Sequence, residues 1–129
     1  MLEQTPAYRN PSLSVEERVA DLLGRMTLEE KVGQLIMWDA RPDDLSFINS
    51  RQPGSILHIL GEKLARAMDL AAQNRLGIPL LVGEDAIHGH SFWKGAPIFP
   101  TQLTLAGSWN PDLLEQVGRI TAVEVIPTG

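Results

Sequence analysis

The run Ile78-Pro79-Leu80-Leu81-Val82-Gly83-Glu84-Asp85-Ala86-Ile87-His88-Gly89-His90 passes from aliphatic side chains to carboxylates and imidazoles within one residue. An apolar stretch this short, entered through a proline and left through glycines, predicts a strand over about Leu80–Gly83. Such a strand is buried on both faces, as in a parallel sheet covered by helices. In barrels and open α/β sheets the helices occupy the flanks, so ligands sit beyond the carboxyl ends of the strands. Asp85, just past such an end, is therefore the first candidate for substrate contact, and the competing role is a loop cap bonded to nearby amides. Successive side chains of an extended backbone point to opposite sides, so Glu84 and Asp85 do not converge on one bond. Glu84 reads as the partner in a structural ion pair.

Working outward from that strand, the preceding segment has the pattern of a strand followed by a helix. Ser55-Ile56-Leu57-His58-Ile59-Leu60 follows Pro53-Gly54, has β-branched content and is too short for a helix, which predicts the first strand over Ser55–Leu60. From Glu62 to Leu76 the residues Leu64, Ala67, Met68 and Ala71 restore a helical period, with Gly77 as the stop and Pro79 beyond it. Farther back, Ser14-Val15-Glu16-Glu17 and Thr27-Leu28-Glu29-Glu30 are two capping boxes. They open helices with Val15, Val19, Leu22 and Met26 on one stripe and Leu28, Val32, Leu35 and Ile36 on the next. Ala40–Asp44 is turn-like and Leu45–Ser50 predicts a short helix. Residues 1–13, with Pro6, Asn10 and Pro11 and no apolar period, form an irregular lead-in. Beyond the key strand lies a long loop, Ala86–Thr101, of the kind that carries function. Asn110-Pro111-Asp112 then starts a helix to about Val125, with asparagine as N-cap and proline at the first helical position.

The 129 residues suffice for one domain with a core, and 43% hydrophobic content is that of a globular chain. A net charge of −5 without any basic stripe argues against nucleic acid as a partner. No apolar run approaches the roughly 18 residues that span a bilayer, and Met1-Leu2-Glu3-Gln4 lacks the features of a signal peptide, so no membrane partner is expected. The compartment stays open: periplasmic or secreted if a signal was removed, otherwise cytoplasmic. With no cysteine, disulfides and thiolate metal sites are excluded.

His88-Gly89-His90 has the H-x-H spacing of some metal-dependent barrel hydrolases, which makes a metal site on His88 and His90 an alternative. Two imidazoles around a flexible glycine do not close such a site, and structural histidines bonded within the loop are the expectation, with no metal and no cofactor. Trp93 is a candidate for stacking on a sugar face or for anchoring the loop, and Trp109 reads as packing.

Gly83-Glu84-Asp85-Ala86-Ile87-His88-Gly89, then Pro97-Ile98-Phe99-Pro100-Thr101-Gln102-Leu103-Thr104-Leu105-Ala106 and Trp109-Asn110-Pro111-Asp112-Leu113, closely resemble the N-terminal part of glycoside hydrolase family 3, the β-glucosidase and exo-glucanase group. Arg18–Leu35 is similar to that family's opening helices, and Thr121–Val125 with Thr128-Gly129 to the end of its second barrel helix. The resemblance implies an α/β fold in which residues 14–129 are the N-terminal portion of a TIM-like (β/α)8 barrel, incomplete in this chain. The remaining strands and a following α/β sandwich domain lie outside it. It implies an enzyme that removes terminal β-linked glucose or a related sugar from oligosaccharides or glucosides, exo-acting and with retention. By the same resemblance, Asp85 binds hydroxyls of the terminal sugar. The nucleophile, the acid/base and a lysine-histidine pair are expected downstream of Gly129, so no catalytic residue is expected in this chain and the isolated piece is expected to be inactive. A non-catalytic carbohydrate-binding module is the other alternative.

Overall fold

The structure, a computed structural model, describes residues 5–128. Residues 1–4, which include the start of the lead-in and the stretch weighed as a signal, lie outside the described residues, as does Gly129. Three short strands form one parallel sheet in the order of the chain: β1 (Met37–Asp39), β2 (Ser55–Leu57) and β3 (Leu81–Gly83). Among the described residues six α-helices accompany them: α1 (Val15–Arg25), α2 (Leu28–Gln34), α3 (Phe47–Arg51), α4 (Gly61–Ala72), α5 (Gln102–Ala106) and α6 (Pro111–Val125).

Local chemistry explains most of these boundaries. Both capping boxes form: the Ser14 hydroxyl accepts from the Glu17 N–H while Glu17 reaches back to the Ser14 N–H, and Thr27 and Glu30 repeat the exchange. Asn110 caps α6 by accepting from the Leu113 N–H, and Pro111 occupies the first turn, where no N–H is needed. The lead-in holds a 3-10 turn at Ala7–Arg9, fastened to the body through the Tyr8 hydroxyl and the Arg9 guanidinium, both of which donate to the Leu76 carbonyl.

Several boundaries depart from the sequence expectation. The first strand is Met37–Asp39, a segment to which the sequence expectation assigned no element, so Ser55–Leu57 is the second strand. That second strand stops three residues short of Leu60 because His58 turns into the left-handed region, at φ 62°. The following helix ends at Ala72 rather than Leu76. Its exit is a turn in which Asn74 donates from its side chain to the Ile48 carbonyl and Gly77 takes a positive φ of 57°. α5, within Pro97–Ala106, is a helix that the sequence expectation did not include.

The sheet has one covered and one open face. Register places Trp38, Ile56 and Val82 in one row, and these side chains meet the helices in a core built on Ile48, Leu64, Ala67 and Ala71. The rows on either side, Met37–Ser55–Leu81 and Asp39–Leu57–Gly83, point the opposite way. Leu81 is 69% exposed there, so β3 is not buried on both faces as expected from its apolar run. The helical stripes are likewise partly open: Val15, Val19, Leu28, Val32 and Leu35 are all exposed.

Candidate active site

Register determines which residues meet at the carboxyl end of the sheet. Asp39, Leu57 and Gly83 are level with one another, so the next positions, Ala40, His58 and Glu84, emerge together at the mouth with Asp85 following. The Ala40 N–H donates to the Leu57 carbonyl and the His58 N–H to the Gly83 carbonyl, which keeps the three exits aligned one residue beyond the strands.

At the β1 exit, Asp39 is occupied by Arg41. The guanidinium donates to both carboxylate oxygens and the Arg41 N–H adds a bond to Oδ1, which holds the Asp39 carboxyl down at about 2, well below its ordinary value. Lys63, from α4, anchors this turn by donating to the carbonyls of Ala40, Arg41 and Pro42.

At the β2 and β3 exits an imidazole stands between two carboxylates. His58 Nδ1 lies 2.9 Å from Glu84 Oε1, and His58 Nε2 lies 3.5 Å from Asp85 Oδ2. Glu84 Oε1 also accepts from the Asp85 N–H at 2.9 Å, so Glu84 stabilises both the ring and the backbone of its neighbour. The side chains of His58 and Glu84 are only 10% and 6% exposed, whereas that of Asp85 is 54% exposed and faces the open mouth. Glu84 thus has the structural partner expected of it. The alternation of adjacent side chains separates the two carboxylates onto opposite nitrogens of one ring.

The loop after β3 folds over this cluster. Gly89 makes an antiparallel bridge with Ile98, and a Cβ at Gly89 would collide with the Pro97 carbonyl, so the close approach requires glycine. Phe92 packs on His58 with ring centroids 4.9 Å apart. Trp93 is half-exposed and lies parallel to His90 at 6.3 Å. His90 is completely buried and its Nε2 lies 3.0 Å from the Thr128 hydroxyl, a loop-anchoring role. His88 and His90 therefore do not converge with a third ligand, and no group of three or more His, Asp or Glu with metal-binding geometry occurs among the described residues.

A family model for the glycosyl hydrolase family 3 N terminal domain matches residues 27–129. The chain belongs to glycosyl hydrolase family 3. A periplasmic beta-glucosidase of Salmonella typhimurium is 35% identical over 95% of this chain and 17% of its own length. A probable beta-glucosidase C of Aspergillus oryzae is 31% identical over 98% of the chain and 24% of its own. A xylan 1,4-beta-xylosidase of Xylanibacter ruminicola is 32% identical over 94% of the chain and 11% of its own. Among solved structures, a mutant form of an exo-1,3/1,4-beta-glucanase from a Pseudoalteromonas species superposes with a TM-score of 0.74 at 29% identity. That match covers 94% of this chain and 22% of the other. The chain thus spans about a quarter or less of the length of these relatives. Within the family 3 fold, β1 to β3 and their helices are the N-terminal portion of a TIM-like barrel, and the open face of the sheet is the barrel's inner face.

Of the residues singled out in the sequence, Asp85 and Glu84 stand at the mouth. Trp93 lies on the loop above it, and His90 points away. His58 and Arg41 are at the mouth too, and neither stood out in the sequence. For His58 a signal existed: it ends the apolar run Ser55-Ile56-Leu57, as Glu84 ends that of β3, and parallel strands place such ends side by side.

Proposed function

We propose that the whole protein is a retaining, exo-acting glycoside hydrolase that removes terminal β-linked glucose, or a related sugar, from oligosaccharides or glucosides. In this proposal Asp85 accepts hydrogen bonds from hydroxyls of the terminal sugar, and Trp93 flanks the sugar from the loop. The observation that carries it is the state of the three acids at the mouth. Asp39 is committed to Arg41, Glu84 is buried on His58, and Asp85 alone of the three leaves a carboxylate open to a ligand. One open carboxylate suits binding. Retention needs two carboxyl groups about 5–5.5 Å apart across the glycosidic bond, and in this proposal both are the downstream pair that the family resemblance implies. Family membership and the glucosidase, xylosidase and exo-glucanase names of the relatives support the reaction class. The periplasmic relative favours an exported enzyme.

Replacing Asp85 by alanine in the full-length protein tests the assignment. Losing a charged hydrogen-bond partner in a closed site costs about 1.5–3 kcal/mol, roughly 10- to 150-fold in kcat/KM. We expect that loss on an aryl β-glucoside with little change in melting temperature. A lowered melting temperature with unchanged kcat/KM would make Asp85 a loop cap.

A further inference from the structure

We propose that His58 is a positioning residue for Asp85, braced from behind by Glu84, so that the carboxylate offered to the sugar is held by a side-chain relay across two strand ends. The proposal rests on the sugar-binding role of Asp85 given above.

Three observations carry it. First, the contacts run in series: Glu84 Oε1 lies 2.9 Å from Nδ1 of His58, and Nε2 of the same ring lies 3.5 Å from Asp85 Oδ2. Nδ1 is within hydrogen-bond distance of Glu84, and Nε2 is in ion-pair range of Asp85 without a direct hydrogen bond to it. Second, the order of burial matches the order of the relay. The brace and the ring are nearly enclosed, with Phe92 packed on the imidazole, while the last member is half open. A buried pair ending at an exposed carboxylate fixes one oxygen of Asp85 and leaves the other for a ligand. Third, the backbone of His58 is in the left-handed region, at φ 62°, where non-glycine residues are uncommon and asparagine, aspartate and histidine are the enriched ones. Of these three, histidine alone supplies a ring long enough to reach both carboxylates.

That third point lets a structural role and a positioning role predict opposite rankings. In shape, asparagine reproduces the Nδ1 side of histidine and suits the backbone. Glutamine reproduces the Nε2 reach toward Asp85 and suits the backbone less well. The experiment compares His58→Asn and His58→Gln in the full-length protein, each alone and combined with Asp85→Ala, by kcat and KM on an aryl β-glucoside and by melting temperature. The 3.5 Å contact to a half-exposed carboxylate sets the expected loss for His58→Asn at about 3- to 10-fold in kcat/KM. We expect that loss to be carried mainly by KM, with His58→Gln losing less although its melting temperature is the lower of the two. In the Asp85→Ala background the difference between the two substitutions disappears. The proposal is overturned if asparagine equals or exceeds glutamine in kcat/KM, or if the two differ by the same factor with and without Asp85. A wild-type protein that cleaves no aryl glycoside would instead overturn the glycosidase reading, and this proposal with it.

Discussion

Glu84 turns its side chain into the protein and leaves it 6% exposed, whereas Asp85, the next residue, leaves 54% of its own open at the mouth of the sheet. Burial of a carboxylate is tolerated only with partners, and Glu84 has two on one oxygen, the His58 ring and the Asp85 N–H. Replacing Glu84 by alanine should therefore lower stability by about 1–3 kcal/mol, because the imidazole and the amide are left without an acceptor. Urea unfolding of the variant checks this, and a midpoint equal to wild type would remove Glu84 as a brace. The contrast between the two acids was legible in the sequence, since they end an apolar run on alternating sides. The link to His58 was legible only as far as the strand ends, which set positions 58 and 84 side by side; the contact itself joins positions 26 residues apart. It depends, besides, on a left-handed backbone at a histidine, which no residue type announces.

Helix ends carried their boundaries in plain chemical form. Ser14 with Glu17, Thr27 with Glu30, and Asn110 with Pro111 each satisfy first-turn amides by the bonds their side chains can make, and the three helices begin where those residues stand. Strand β1 gave no such signal, because Met37-Trp38-Asp39 runs on from the apolar Leu35-Ile36 of the α2 stripe with no proline or glycine to mark its start, as Pro53-Gly54 and Pro79 mark β2 and β3. Its presence shows instead in the contacts around it. The Gly54 N–H donates to the Gly33 carbonyl at 3.0 Å, and a Cβ at Gly33 would run into the carbonyl oxygens of Arg51 and Gln52. The end of α2 thus crosses the entry to β2 with backbone against backbone, and β1 follows directly from that crossing. Gly33→Ala should separate the two elements and cost about 1–3 kcal/mol, the usual penalty for overpacking. Thermal unfolding of the full-length variant measures it, and a melting temperature within experimental error of wild type would mean that the crossing is loose.

Across the whole molecule, the apolar pattern anticipated a parallel sheet covered by helices, and the covered face agrees with it. The inner face does not, because Met37 and Leu81 are open there, and away from the sheet α6 also leaves Leu113, Leu114, Ile120 and Val123 exposed. An apolar run records only that a segment is to be buried, and in a barrel part of that burial comes from strands across the lumen. Prepared by itself, the 129-residue chain should therefore self-associate at micromolar concentration, through these surfaces and the bare strand edges. Sedimentation velocity would show oligomers, whereas a monodisperse monomer with a cooperative unfolding transition would contradict the account of the open face. The central claim, that these strand ends form part of a pocket for the terminal sugar of a retaining exo-glycosidase, is tested most directly by following the full-length protein on a short β-linked gluco-oligosaccharide by proton NMR. Single glucose units should appear first as the β-anomer and only later equilibrate. Initial release of the α-anomer, of internal fragments, or of no sugar at all would contradict it.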